Sequence, residues 1–109
     1  MSDVTSTPPK PYQEFKKTFP AVVEAYEQLG NACHNMGPLS PKCRELIKIG
    51  ISLGAGLESA TKAHVRLAKE AGASADEIKH AAVLATTTIG FPSMMRSMTW
   101  VSEGLLGES

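Results

Sequence analysis

Apolar residues along this chain recur at spacings of three and four, and glycine and proline cut that recurrence into segments. A period near 3.6 commits a segment to one helical face, whereas a half-buried strand needs a period of two. Val22, Tyr26, Leu29, Cys33 and Met36 make the first such face, beginning at Pro20 and stopped by Gly37-Pro38. Ser40-Pro41 restarts the pattern with a hydroxyl N-cap and a proline in the first turn. This second helix runs to about Gly54, with Leu46, Ile49, Gly50 and Leu53 as its apolar stripe and Ile47 and Ile51 at its flanks. After Gly54-Ala55-Gly56, a third helix from about Leu57 to Ala71 puts Leu57, Ala60, His64, Leu67, Ala68 and Ala71 on one side. Its other side carries Glu58, Lys62, Arg66 and Lys69. Ser74-Ala75-Asp76-Glu77 is a capping box that opens a fourth helix, whose inner face is Ile78, Ala81, Ala82, Ala85 and Ile89. Gly90-Phe91-Pro92 begins a fifth, with Met94, Met98, Val101 and Leu105 on one side and Arg96 and Trp100 opposite. No stretch alternates as a strand would. The pattern predicts an all-α antiparallel bundle of about five helices, residues 18–109, preceded by a proline-rich mobile arm over 1–17.

Charge and composition remove several classes of function. Lys and Arg number 11 and Asp and Glu 11, so the net charge is zero and there is no basic footprint for nucleic acid or an anionic membrane. No apolar run approaches the about 18 residues that span a bilayer. The first residues lack the apolar core of a signal peptide, so the two cysteines read as reduced thiols and the expected location is cytoplasmic. Three histidines without ligand spacing predict no metal site, and no cofactor motif is present.

Two residues carry the candidate chemistry. His64 falls near the centre of the apolar arc of its helix, where both ring nitrogens need partners away from bulk water. Glu45 sits at the edge of the preceding helix's stripe, near Ile49 and Ser52. The plain readings are a hydrogen-bonded core histidine and a surface pairing of Glu45 with Lys48. The sharper reading is a carboxylate–imidazole pair able to pass a proton near neutral pH.

Arg44-Glu45-Leu46-Ile47 is followed by His64, nineteen residues after Glu45, then by Ala68, Gly72-Ala73-Ser74 and Asp76-Glu77-Ile78. With Gly37-Pro38-Leu39-Ser40-Pro41-Lys42 and Gly90-Phe91-Pro92, this ordered set resembles the carboxymuconolactone decarboxylase / alkylhydroperoxidase D (AhpD) family over about residues 18–105. The resemblance implies an AhpD-like fold, assembly with itself as a trimer or hexamer, a small-molecule ligand, and Glu45 and His64 as catalytic residues. In the thiol branch, peroxiredoxin-like members carry C-x-x-C-x-x-x-H. Here Leu57 and Ala60 stand where those cysteines would be, seven and four residues before His64. A thiol is reactive as its thiolate, and neither residue supplies one. In the decarboxylase branch, acid/base groups protonate the carbanion left when CO2 departs from a lactone acid. That branch usually shows a Tyr-Glu-Trp run before its histidine, where this chain has Ser59-Ala60-Thr61. The reading is therefore a cysteine-independent lyase-like enzyme on a small organic acid or lactone. Its expected pocket lining is Leu57, Ala60, Thr61, Ala68, Met94 and Met98. A peroxidase-type protein using Cys43 or Cys33, and a non-catalytic ligand-binding oligomer, are the alternatives. Cys33 and Cys43 flank the Gly37-Pro38 turn on apolar faces, as small hydrophobes or as a pair.

Overall fold

A computed structural model describes residues 8–107, all of whose regular elements are helices. In chain order they are α1 (Lys10–Thr18), α2 (Pro20–His34), α3 (Pro41–Gly54), α4 (Glu58–Glu70), α5 (Ala75–Val83), α6 (Thr86–Ile89) and α7 (Phe91–Leu105). The described chain forms two compact units that divide at Leu39–Ser40.

The first unit is the helix pair α1–α2. Of the expected arm over 1–17, residues 1–7 lie outside the described part, and the remainder is helical from Lys10. Three prolines nearby do not prevent this, because Pro11 falls in the first turn, where a missing N–H costs nothing. Tyr12 donates to Glu27 across the pair at 2.7 Å, and Lys16 lies 3.6 Å from the same carboxylate. The Tyr12 hydrogen bond, more than Lys16, holds the Glu27 carboxyl below its usual range, and Glu27 in turn pushes the phenol up. Of the apolar face expected along α2, Val22, Tyr26 and Leu29 are more than half exposed, as is Met36 just beyond the helix end. Only Val23 of this helix is buried.

The second unit, α3 to α7, is the AhpD-like bundle. Its core joins Ile49 and Leu53 of α3, Val65 and Ala68 of α4, Ile78 and Ala82 of α5 and Val101 of α7. The helix starts follow the local sequence. Ser40 Oγ accepts from the Cys43 N–H, with Pro41 opening α3. At α5 the capping box is complete: the Glu77 N–H donates to Ser74 Oγ, and Glu77 Oε1 accepts from the Ser74 N–H. Gly72 precedes that cap with φ +97°, a value that favours glycine. The expected fourth helix is split, because a turn at Leu84–Ala85 separates α5 from the single-turn α6. Here α4 and α7 approach closely. A Cβ placed at Gly104 would stand 3.0 Å from Val65 Cβ and 3.4 Å from Lys62 Cα.

The buried side of α4 is rotated from the expected one. Thr61, Lys62, Val65 and Ala68 are buried, while Leu57 is half exposed and His64 lies at the margin of the core. Lys62 causes the difference. Its ammonium reaches Glu58 and Glu103, each at 3.0 Å, so its stem can lie inside the protein with the charge neutralised at the edge. Glu103 first and Glu58 second push the Lys62 pKa above its ordinary value.

Candidate active site

Glu45 and His64 are brought together. The sequence makes α3 and α4 consecutive helices joined by the short Ala55-Gly56-Leu57 turn, in which the Leu57 N–H donates to the Ser52 carbonyl at 2.9 Å. Folding α4 back along α3 sets His64 Nδ1 2.8 Å from Glu45 Oε1. The carboxylate is the more enclosed partner: the Glu45 side chain is 9% exposed and the His64 side chain 23%. Glu45 shares its face of α3 with Ile49 and Ser52, both buried, at the four- and seven-residue spacings of one helical side.

The chemistry of the contact follows from the donor inventory. In its ionised form a carboxylate only accepts, and opposite that form Nδ1 carries the hydrogen of the contact. In that tautomer Nε2 is the remaining polar atom of the ring, a lone pair in the neutral form and an N–H in the imidazolium. Nε2 has no hydrogen-bond partner among the described residues, and the ring is partly open to solvent. The arrangement can therefore hold one orientation of an imidazole.

The model of the carboxymuconolactone decarboxylase family matches residues 20–103. The chain belongs to that family. No curated protein and no solved structure matches it. Within this family frame, Leu57 is the N-cap residue of α4, half exposed and without a side-chain cap bond, and Ala60 is partly buried.

The remaining expected residues lie in varied settings. Thr61 and Ala68 are fully enclosed in the helix packing, and the Thr61 hydroxyl is taken up by the Leu57 carbonyl at 2.8 Å. Met94 is buried, and Met98 is partly buried against the core. Cys33 and Cys43 are both free thiols and both exposed, rather than packed on apolar faces. Arg96 does stack on Trp100, with its guanidinium carbon 5.3 Å from the ring centroid. Among the described residues, no cluster of three or more His, Cys, Asp or Glu side chains is arranged to hold a metal ion. No helix among them is long and apolar enough to cross a membrane.

One concavity was not foreseen. A groove of about 590 Å³ is lined by Leu46, Ile47 and Gly50 of α3, Ala81 of α5, Leu84 of the turn after it and Ile89 of α6. None of the residues expected to line a pocket contributes to it. It occupies the side of α3 away from Glu45, about 150° around the helix. The signal for it lay in Gly50 and Gly54, two glycines one turn apart that leave the surface of α3 without side chains there.

Proposed function

We propose that the protein is an acid/base enzyme acting on a small organic acid or lactone, with His64 as the proton carrier and Glu45 as its positioning partner. The 2.8 Å contact between a nearly buried carboxylate and a partly exposed imidazole carries this reading. In a lyase step of the family type, the bond between a carbon and its carboxylate breaks and CO2 leaves. The electron pair stays on the carbon, delocalised into the neighbouring lactone carbonyl. His64 Nε2–H delivers a proton to that carbon, and the neutral ring is reprotonated from solvent. Glu45 holds Nδ1 throughout, which keeps Nε2 aimed at the substrate. The thiol alternative has less support, since Leu57 and Ala60 stand at the positions of the family thiols.

The test is CO2 release from a panel of small carboxy-lactones and β-keto acids, with the Cys33→Ser, Cys43→Ser double variant as the control. Turnover that survives loss of both thiols and falls in His64→Gln supports the acid/base reading. Peroxide reduction that disappears in Cys43→Ser, with no decarboxylation, replaces it with the thiol reading.

A further inference from the structure

The groove bounded by α3, α5 and α6 has a regular build. Lys42 Nζ meets Glu77 Oε2 at 3.0 Å, which joins the first turn of α3 to the first turn of α5 across 35 residues of chain. The lining repeats that offset turn by turn: Leu46 with Ala81, Gly50 with Ala85, Gly54 with Ile89. These pairs form the floor, which runs about 12 Å from Leu46 to Gly54 at the rise of a helix. One rim is Ile47 of α3, half exposed. The other carries His80, Leu84 and Thr88, one residue per turn and all exposed.

The middle of the floor is free of side chains. Gly50 lies inside α3, where glycine is less favourable than alanine. Its φ is not positive, and a Cβ there would meet nothing within 4 Å. Gly54, one turn on, is equally open. Neither backbone conformation nor packing among the described residues calls for glycine at these positions. What they leave is a trough of about 590 Å³ between apolar edges, a size at which small molecules are bound.

Polar side chains stand only at the two ends. Glu77 and His80 lie toward the Leu46 end and Thr88 toward the Gly54 end. Both Glu77 oxygens are engaged, Oε1 by the Ser74 N–H and Oε2 by Lys42. A cationic head group would find that carboxylate already matched, and an anionic one would lie beside it. The Gly54 end is the C-terminus of α3, where the helix dipole also disfavours an anion. The His80 imidazole and the Thr88 hydroxyl make no hydrogen bond among the described residues, and each can give or take one. An uncharged molecule with an apolar body and an oxygen at each end satisfies all of these conditions.

We propose that the α3–α5–α6 groove binds such a molecule, of the class of a medium-chain α,ω-diol. Its chain lies over Gly50 and Gly54 between Ile47 and Leu84, and its two oxygens bond to His80 and Thr88. The inference is independent of the acid/base reading, because the groove and Glu45 lie on different sides of α3.

Octane-1,8-diol, whose extended length matches the floor, is the probe. Titration calorimetry of the full chain is expected to show saturable binding, with the His80 ring resonances shifting along the same isotherm. Gly50→Leu puts a side chain into the trough and is expected to weaken binding about tenfold. That side chain enters open space, so the helical circular dichroism should stay that of the wild type. If Gly50→Leu misfolds, Leu84→Ser takes its place, since Leu84 is 63% exposed and its loss trims the rim without touching the core. His80→Ala and Thr88→Val are each expected to weaken binding severalfold, the net worth of one hydrogen bond. His64→Gln is expected to bind the diol as the wild type does. No saturable binding overturns the proposal, and a changed sedimentation mass in Gly50→Leu would then assign the groove to contact between copies. Undiminished binding in any folded groove variant overturns it too. So does loss of binding in His64→Gln, which moves the diol to the acid/base pair, or tighter binding of octanoate or octylammonium, which makes the site one for charged head groups.

Discussion

Two polar clusters sit on α4, separated by about 200° around the helix, and they use the same ingredients differently. At Lys62, one ammonium meets the carboxylates of Glu58 and Glu103 at 3.0 Å each, and the stem is buried beneath. At His64, one imidazole meets one carboxylate at 2.8 Å, and its second nitrogen has no hydrogen-bond partner among the described residues. The first cluster closes on itself: two negative charges surround one positive charge and fasten α4 to α7. The second is left half satisfied, with a titratable group held in one orientation and one coordination direction open. Proximity of charge does not separate a structural contact from a candidate catalytic one. Spare hydrogen-bonding capacity in a fixed geometry does.

The largest effects should come from the open cluster. His64→Gln is expected to lower turnover on a competent substrate by about 10²–10⁴-fold, the usual worth of a positioned acid/base group. Glu45→Gln keeps the shape but puts an amide in place of the carboxylate that positions Nδ1, so it is expected to lower kcat more than to raise KM. Both variants should retain wild-type helical circular dichroism. If His64→Gln instead unfolds the protein while Lys62→Met spares both fold and activity, the roles of the two clusters are exchanged.

Next is the crossing beside the closed cluster. Gly104→Ala puts a methyl 3.0 Å from Val65 Cβ, in a place where Val65 is fully buried and cannot turn away. Overpacking of about 1–3 kcal/mol then outweighs the gain of about 1 kcal/mol in helix propensity, and chemical denaturation should show a net loss. Ser74→Ala removes the capping box of α5 and is expected to cost about 1 kcal/mol in the same assay.

The smallest effects are linked to pH. Lys62 has its pKa raised in the folded chain, so its contribution is complete below the ordinary lysine value of 10.5 and is lost as pH rises through the folded value. Glu77 shows the opposite sign. The Ser74 N–H first and Lys42 second depress its pKa, so its contribution is present above the ordinary 4.5 and is lost as pH falls through the folded value. Thermal melts across both limits should show Lys62→Met flattening the alkaline limb alone and Glu77→Gln the acid limb alone. A common response in both limbs would mean that these pairs do not act locally.

Much of this was legible in the chain. Helix starts at Ser40-Pro41 and at Ser74-Ala75-Asp76-Glu77 depend on residues within one turn of each other, and the structure uses both as their sequence indicates. The inner faces of α5 and α7 were likewise local patterns. Less legible was α4. Counting Lys62 as a wet residue turned the apparent apolar arc toward His64, and only Glu103, forty-one residues away, reveals why a lysine can be buried there. The split of α5 from α6 and the start of α1 at Lys10 were also missed, since proline content alone does not separate an arm from a first helical turn.

What the sequence determined by itself is the all-α class, the family, and the identity of Glu45 and His64 as the pair to watch. These follow from short-range periodicity, capping and ordered spacing, which are properties of neighbours along the chain. Only the tertiary structure decided that the two side chains meet at 2.8 Å, that the carboxylate is the more enclosed partner, and that a glycine-floored groove opens between α3, α5 and α6. Those depend on how one helix is rotated against another, and a rotation of a few tens of degrees changes which residues face the core without altering any local pattern.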